Sequence, residues 1–176
     1  PNENMRNEGI RLSKNNKKIL WSEGSGEETG LKTNSIDWIF MASSFHWTDY
    51  KKSIPEFHRV LKPGGFFTAL WNPRNLSSSK LHMKIENKIN ELVPNIKRKS
   101  SGAKKYTEDL EEKLLFKNYF KNLLFVEGSH IVKMTKSRYM GAWRSVNDIQ
   151  AQAGESKWLE VLKAIENEIE PLDSVI

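Results

Sequence analysis

The hydrophobic pattern divides the first half of the chain into two short apolar runs joined by an amphipathic helix. The runs Ile36–Met41 and Phe66–Trp71 have the length and composition of buried strands. Between them, apolar residues recur at the spacing of one helical face. That face consists of Tyr50, Ile54, Phe57 and Leu61. Lys62-Pro63-Gly64-Gly65 is expected to end the helix, because proline cannot continue it and glycine accepts a positive φ. This βαβ unit predicts a parallel sheet with a right-handed crossover.

Polar and aromatic residues follow both runs. Ser43-Ser44-Phe45-His46-Trp47 comes after the first, and Asn72-Pro73-Arg74 comes after the second. Ligands of open α/β sheets bind outside the carboxyl ends of the strands. We therefore expect the chemistry of this protein at these two corners.

The remaining pattern predicts helices and a few further strands. Residues 1–16 are predicted to form a helix on the sheet surface, anchored by Met5, Ile10 and Leu12. Further helices are expected after the capping residues Ser78 or Ser79, Thr107, Thr135 and Ser156. Additional strands are expected at residues 18–21 and, broken at Gly128, at residues 123–126 and 130–134. The sequence therefore predicts the α/β class.

Composition narrows the possible functions. The 176 residues suffice for one domain with a proper core, and the absence of cysteine excludes disulfides, thiolate metal sites and a cysteine nucleophile. No apolar run reaches the ~20 residues that span a membrane, so a cytoplasmic location without a membrane partner is expected. The net charge of +6 is concentrated partly in residues 97–105, which form either a solvated loop or a polyanion-binding segment. The four histidines are scattered without metal-ligand spacing.

The corner and the end of the helix carry a family resemblance. The segment from Asp37 through Ser44-Phe45-His46-Trp47 to Arg59-Val60-Leu61-Lys62-Pro63-Gly64-Gly65 resembles the class I S-adenosylmethionine-dependent methyltransferases. More narrowly, it is similar to their trans-aconitate-methyltransferase-like small-molecule branch. The resemblance implies a Rossmann-like, doubly wound, mostly parallel sheet with helices on both faces. It also implies a single domain over residues 1–176 with a helical cap inserted at residues 72–118.

The same resemblance indicates where the cofactor S-adenosylmethionine would bind. The family's glycine-rich loop and the acidic residue that holds the ribose are not found, so we expect them, with two strands, to precede Pro1. A last antiparallel strand is expected to begin at Val175. The loop after residue 21 would line the adenine, since a planar base needs close backbone approach and acceptors, although a plain acidic turn is an equal reading. The implied cofactor-binding residues are Asn2, Met5, Ser25, Gly26, Glu27, Ser43 and Phe45.

The candidate catalytic residue is His46. It could act as a general base or, when protonated, orient a carboxylate, and the alternative is an ordinary hydrogen-bonding histidine. Phe45 and Trp47 could offer aromatic faces to a sulfonium cation, or could be core residues. The candidate substrate-binding residues are Trp47, Arg74, Tyr139, Trp143 and Arg144. For Arg74 the alternative is a surface arginine, and for Tyr139 and Trp143 it is a place in the core.

The resemblance implies methyl transfer to a small-molecule acceptor, with a carboxylate as the best single expectation. Such a reaction depends mainly on holding nucleophile and methyl carbon in line in a site that excludes water. Two alternatives stay open. One is a methyltransferase acting on RNA or another polyanion through residues 97–105, and the other is a non-catalytic binding module of the same fold.

Overall fold

A computed structural model describes residues 2–73, 79–98 and 108–175 of the chain. The chain divides into two compact units. Unit 1 comprises Pro1–Asn72 and Ser101–Phe125, and unit 2 comprises Pro73–Ser100 and Val126–Ile176. The segment predicted as a cap is therefore shared between the two units.

The predicted βαβ unit forms the centre of unit 1. Strand β1 (Ile36–Ala42) and strand β2 (Leu61–Leu70) pair in parallel and are joined by helix α2 (Tyr50–Val60). The pairing is regular from Trp38 with Phe66 to Ala42 with Leu70, and it is irregular where β2 begins. There the Lys62-Pro63-Gly64-Gly65 segment bulges out, with Gly64 at φ +80°. The predicted α/β architecture with a parallel sheet is confirmed.

Helix α2 begins after the N-cap residue Asp49 and contains an internal proline. The side chain of Asp49 accepts a hydrogen bond from the backbone N–H of Lys51. Pro55 lies inside the helix, so the carbonyl of Lys51 lacks its usual intrahelical donor. The helix nevertheless buries Ile54 and Phe57 completely, and this packing outweighs the missing hydrogen bond.

The sheet is covered on one face in the described residues. Ile39 and Met41 of β1 and Phe67 of β2 pack against the cluster of Phe45, Ile54 and Phe57. Helix α4 (Leu110–Leu114) and the 3-10 turn Phe116–Asn118 add Leu110, Leu114 and Phe116 to this core. The opposite face carries Trp38, Phe40 and Phe66, which are 51%, 58% and 65% exposed. The expectation that both faces of β1 are buried is therefore not met.

Helix α1 (Glu3–Ser13) forms as predicted, but its expected anchors are exposed. Met5 and Leu12 are more than two-thirds exposed and Ile10 nearly half. The strand predicted at residues 18–21 is wrong. Asn16 holds a turn there by accepting from the backbone N–H of Ile19 and of Lys18, and Trp21 lies against Gly9 of α1. Without a neighbouring strand, the apolar character of this segment does not produce a ladder.

Unit 2 is a helical assembly. It contains α3 (Lys80–Leu92), α5 (Lys136–Arg144) and α6 (Asn147–Ile169), and the caps predicted at Ser79 and Thr135 are observed. Helix α6 begins nine residues before the predicted cap Ser156 and is broken at Gly154, where φ is +78°. The core holds Ile85, Ile89, Tyr139, Met140, Trp143, Ile149, Trp158, Val161, Ile165 and Ile169.

The strands predicted at residues 123–126 and 130–134 are also wrong. Over the described residues, this segment pairs at one point, an antiparallel bridge between Met134 and Val175. Leu124, Val126 and Ile131 are about four-fifths exposed, so their β-branched and aliphatic composition has no packing partner. The cap predicted at Thr107 lies outside the described residues. Among the helices of the described ranges, we find none with the length and apolar character required to cross a membrane.

Candidate active site

The carboxyl ends of β1 and β2 form one corner, as the parallel pairing requires. Past the last residue of β1, the backbone N–H of Ser43 donates to the carbonyl of Leu70 at 2.8 Å, which extends the ladder by one bond. The indole Nε1–H of Trp71 then donates to Nδ1 of His46 at 3.1 Å. The segment predicted after the first run is thus in direct contact with Trp71, the last residue of the second run, which immediately precedes the predicted Asn72-Pro73-Arg74 segment.

The corner on the β1 side is a tight 3-10 turn over Phe45–Trp47. The chain enters it through Ser43, which has φ +47°. The carbonyl of Phe45 accepts from both the backbone N–H and the hydroxyl of Thr48, which closes the turn. The Phe45 side chain is 3% exposed and anchors the turn in the core, whereas Trp47 is 69% exposed. Of the two aromatic candidates, Trp47 is therefore the more exposed.

His46 lies between two indoles. Its ring centroid is 4.7 Å from that of Trp47 and 6.3 Å from that of Trp71. Burial lowers the pKa of His46, because desolvation disfavours the imidazolium. The side chain is therefore neutral at pH 7.

The loop over residues 23–31, which we call the adenine loop after its predicted role, lies beside this corner. Ser25 organises the loop, since its Oγ accepts from the backbone N–H of Glu27 and of Glu28. Gly26 lies so close to the corner that a Cβ there would come within 2.6 Å of Thr48 Cγ2. Glu27 Oε1 accepts from the backbone N–H of Asp49 at 2.8 Å, and this bond lowers the pKa of the Glu27 carboxyl. The side chain of Glu27 thus holds the loop to the start of α2.

A second, more buried carboxylate fixes the far side of the same loop. Glu56 Oε1 accepts from both the backbone N–H and the hydroxyl of Thr29, at 2.9 and 2.6 Å. Arg59 donates to both oxygens of Glu56 and also to the carbonyl of Leu31. The Arg59 hydrogen bonds, followed by those from Thr29, hold the pKa of Glu56 at about 2, against an ordinary 4.5. We call Thr29, Glu56 and Arg59 the loop latch.

The predicted cofactor residues at the start of α1 have local roles in the structure. Asn2 is the N-cap, and its side chain accepts from the backbone N–H of Met5. The Met5 side chain is 73% exposed. Helix α1 approaches the adenine loop through Arg6, whose guanidinium lies 3.9 Å from the carboxylate of Glu23.

Of the other predicted substrate residues, Tyr139, Trp143 and Arg144 lie in unit 2. Arg74 falls outside the described residues. Tyr139 and Trp143 are 5% and 2% exposed in the core of unit 2, and Arg144 is exposed at the end of α5. The alternative of a core position is therefore the observed environment of Tyr139 and Trp143.

The first two residues of the basic segment 97–105 are held within unit 2, and residues 99–105 lie outside the described ranges. Arg98 lies 3.3 Å from a carboxylate oxygen of Asp148 and 3.6 Å from one of Glu86. Its guanidinium also sits over the ring of Trp143, at 5.7 Å from the centroid. The charge of Arg98 is therefore balanced by acidic side chains of its own unit.

The N-terminal part of the chain is similar to known methyltransferases. Residues 1–69 match the methyltransferase domain family. This methyltransferase-like region contains the adenine loop, His46 and the loop latch. Trp71 lies two residues after the end of this region.

Individual methyltransferases agree with this match. An uncharacterized methyltransferase of Mycobacterium tuberculosis is 44% identical over 52 residues, which are 30% of this chain and 21% of that protein. An uncharacterized methyltransferase-like protein of Schizosaccharomyces pombe is 36% identical over 52 residues, which are 30% of this chain and 20% of that protein. The chain thus spans about a fifth of the length of the curated relatives it matches.

A solved structure extends the likeness to the fold. A provisionally named Type II methyltransferase from Anaeromyxobacter dehalogenans superposes with a TM-score of 0.52 at 17% identity. The superposition covers 86% of this chain and 64% of that one. The chain therefore shares the Rossmann-like fold of that structure.

Two parts of the site were missed in the sequence. Trp71 was assigned to the second strand and not to the site, and the loop latch was not predicted. A tryptophan at the carboxyl end of a strand, opposite a histidine at the end of the next, was the available signal for Trp71. For the latch there was only a glutamate three residues before an arginine, a spacing that is usual on exposed helices.

Proposed function

We propose that this protein takes part in S-adenosylmethionine-dependent methyl transfer to a small-molecule acceptor. The observation that carries the proposal is the meeting of the adenine loop, the His46 turn and the end of β2 at one corner, within or next to a methyltransferase-like region. In an open parallel sheet this is where ligands bind.

The charge distribution at the corner suits a cationic cofactor. Residues 43–47 contain no lysine or arginine, His46 is neutral, and the neighbouring loop carries Glu23, Glu27 and Glu28. A sulfonium would meet no opposing cation among these residues, and an aromatic ring such as that of Trp47, which is 69% exposed, attracts cations. When bound, S-adenosylmethionine supplies an electrophilic methyl group.

The roles of the protein residues in this proposal are binding and positioning. Ser25, Gly26 and Glu27 would hold the adenine, with Asn2 and Met5 beside the ribose. Ser43 and the backbone around Phe45 would hold the methionine part. Trp47 would contact the acceptor, for which a carboxylate is the proposed class because its nucleophilic oxygen is already ionised at pH 7.

Calorimetric titration of the intact protein with S-adenosylmethionine and S-adenosylhomocysteine tests the cofactor. We expect saturable binding of both in the micromolar range. A folded protein that binds neither would refute the proposal. Turnover is then sought with carboxylic acids as acceptors, and binding without any turnover would favour a non-catalytic module.

Two exposed tryptophans offer a matched test of the site. Trp47→Ala removes the exposed ring at the corner, whereas Trp38→Ala removes a comparably exposed ring from the open sheet face. We expect Trp47→Ala to raise KM for the acceptor about five- to thirtyfold, as loss of an aromatic contact of about 1–2 kcal/mol does. Trp38→Ala should leave KM unchanged, and equal effects of the two variants would place the acceptor elsewhere.

The polyanion alternative has its own readout. Since Arg98 is paired with Glu86 and Asp148, we expect RNA binding to be weak, and any binding to keep its salt dependence in Arg98→Met. A steep loss of RNA affinity with rising salt that becomes shallower in Arg98→Met would instead favour an RNA substrate.

A further inference from the structure

The contact between Trp71 and His46 restricts what the histidine can do. An indole N–H can only donate a hydrogen bond, so the atom that it reaches at 3.1 Å must accept. That atom is Nδ1 of His46, which therefore carries a lone pair and no proton. In a neutral imidazole the single ring proton then lies on Nε2.

We propose that Trp71 is a positioning residue that holds His46 in the Nε2–H tautomer, so that His46 acts as a hydrogen-bond donor and not as a general base. The basic lone pair of the ring is occupied by the indole. The other ring nitrogen, Nε2, carries the proton and can only donate.

The surrounding backbone fixes both partners. Trp71 follows directly on β2, and the bond from Ser43 N–H to the Leu70 carbonyl ties the two strand ends together one residue before it. On the other side, the anchored Phe45 ring and the two bonds from Thr48 to the Phe45 carbonyl hold the turn that carries His46. The hydrogen bond therefore joins two constrained segments, which lowers the entropy cost of forming it.

The neutral state of His46 agrees with this arrangement. Protonation would place a second N–H on Nδ1, opposite the Trp71 N–H, and would break the bond between the rings. Desolvation acts in the same direction by lowering the His46 pKa.

The catalytic meaning of the tautomer rests on the proposed function. A donor at the corner can orient an acceptor that already carries a negative charge, but it cannot remove a proton from a hydroxyl. The inference therefore narrows the acceptor to groups that are ionised before they bind, with carboxylates as the leading class.

The tautomer can be measured without cofactor or acceptor. Long-range ¹H–¹⁵N correlation spectra of the ¹⁵N-labelled intact protein distinguish the protonated from the unprotonated ring nitrogen of His46. We expect an Nε2–H pattern and, across the hydrogen bond, a scalar coupling between Trp71 Nε1 and His46 Nδ1. A proton on Nδ1, or a signal averaged over both tautomers and without the coupling, would overturn the proposal. This test needs only the wild-type protein.

Substitution tests the cause. In Trp71→Phe we expect the ratio of Nε2–H to Nδ1–H tautomers to fall by about three- to tenfold, the bias that one hydrogen bond of ordinary net strength maintains. Trp38→Phe is the matched control, because its indole also donates one hydrogen bond, to Thr68 Oγ1 at 2.9 Å. Unchanged His46 signals in a folded Trp71→Phe protein would contradict the assigned role.

A kinetic test separates a donor from a base. His46→Gln can supply an amide N–H but no basic nitrogen, so it should retain most of the activity with a carboxylate acceptor, while His46→Ala should not. Equal loss in both variants would argue for a base. Failure of this inference can be told apart from failure of the proposed function. A protein that binds no cofactor can still show the Nε2–H tautomer of His46.

Discussion

Replacement of Glu56 by glutamine should loosen the adenine loop. The glutamine keeps the size of the side chain but has one acceptor oxygen where the carboxylate has two, and the carboxylate accepts from Thr29 and Arg59 at four points. The Glu56 side chain is 12% exposed, so solvent compensates little for the lost bonds.

The stability that Glu56→Gln should lose follows from the pKa of the Glu56 carboxyl. A carboxyl whose pKa is 4.5 when free and about 2 in the folded protein contributes up to about 3 kcal/mol at neutral pH. Arg59 is 39% exposed, and solvent screening of this partner reduces the expected loss in Glu56→Gln to about 1–3 kcal/mol.

The pH dependence has a definite sign. Because folding lowers the Glu56 pKa, its contribution is complete above pH 4.5 and is lost as the pH falls towards 2. The difference between wild type and Glu56→Gln should therefore be constant from pH 7 to about pH 5 and shrink below that.

Amide hydrogen exchange is the appropriate assay, since it reports on the loop and on α2 separately from unit 2. The Thr29 amide, which donates to Glu56, should exchange about five- to hundredfold faster in Glu56→Gln. Glu8→Gln is the matched control: Glu8 pairs with Arg11 at the same spacing, but both side chains are more than half exposed. A Glu8 variant as destabilised as the Glu56 variant, or an unchanged Thr29 amide, would refute the reasoning.

Two further substitutions test the packing, one in each unit. Gly26→Ala should lower the free energy of unfolding of unit 1 by about 1–3 kcal/mol, because the new methyl group meets Thr48 Cγ2 at 2.6 Å. In urea unfolding, the double variant with Thr48→Ser should recover most of this loss, and no recovery would mean that the clash is not the cause. Ile165→Ala should lower the free energy of unfolding of unit 2 by about 2–5 kcal/mol, because Ile165 is only 2% exposed. Leu159→Ala, at a residue that is 58% exposed, should change it by no more than about 0.5 kcal/mol. Similar shifts of the unfolding temperature in both variants would contradict the assigned core.

The elements that could be predicted are those whose cause is local in the sequence. The helix over Tyr50–Val60 is specified by its own apolar spacing, its Asp49 cap and the Lys62-Pro63-Gly64-Gly65 terminator. Parallel pairing follows from the length of the crossover, and parallel pairing brings the two strand ends together. The location of the corner was therefore predictable.

What could not be predicted depends on partners far along the chain. The Ile19-Leu20-Trp21 segment has strand composition, but a strand exists only beside another strand, and composition does not tell whether one is adjacent. The bond from Trp71 to His46 spans 25 residues and that from Thr29 to Glu56 spans 27. Periodicity assigns side chains to faces of an element and does not say which polar atoms will meet.

The open face of the sheet has a consequence for the behaviour of the protein in solution. Trp38, Phe40 and Phe66 form a stacked aromatic surface on a two-stranded sheet, and over the described residues β1 is paired along a single edge. Exposed aromatic patches and unpaired strand edges promote self-association. The net charge of +6 opposes this by mutual repulsion, which salt screens. We therefore expect light scattering to rise with ionic strength, and Phe40→Lys to suppress the rise.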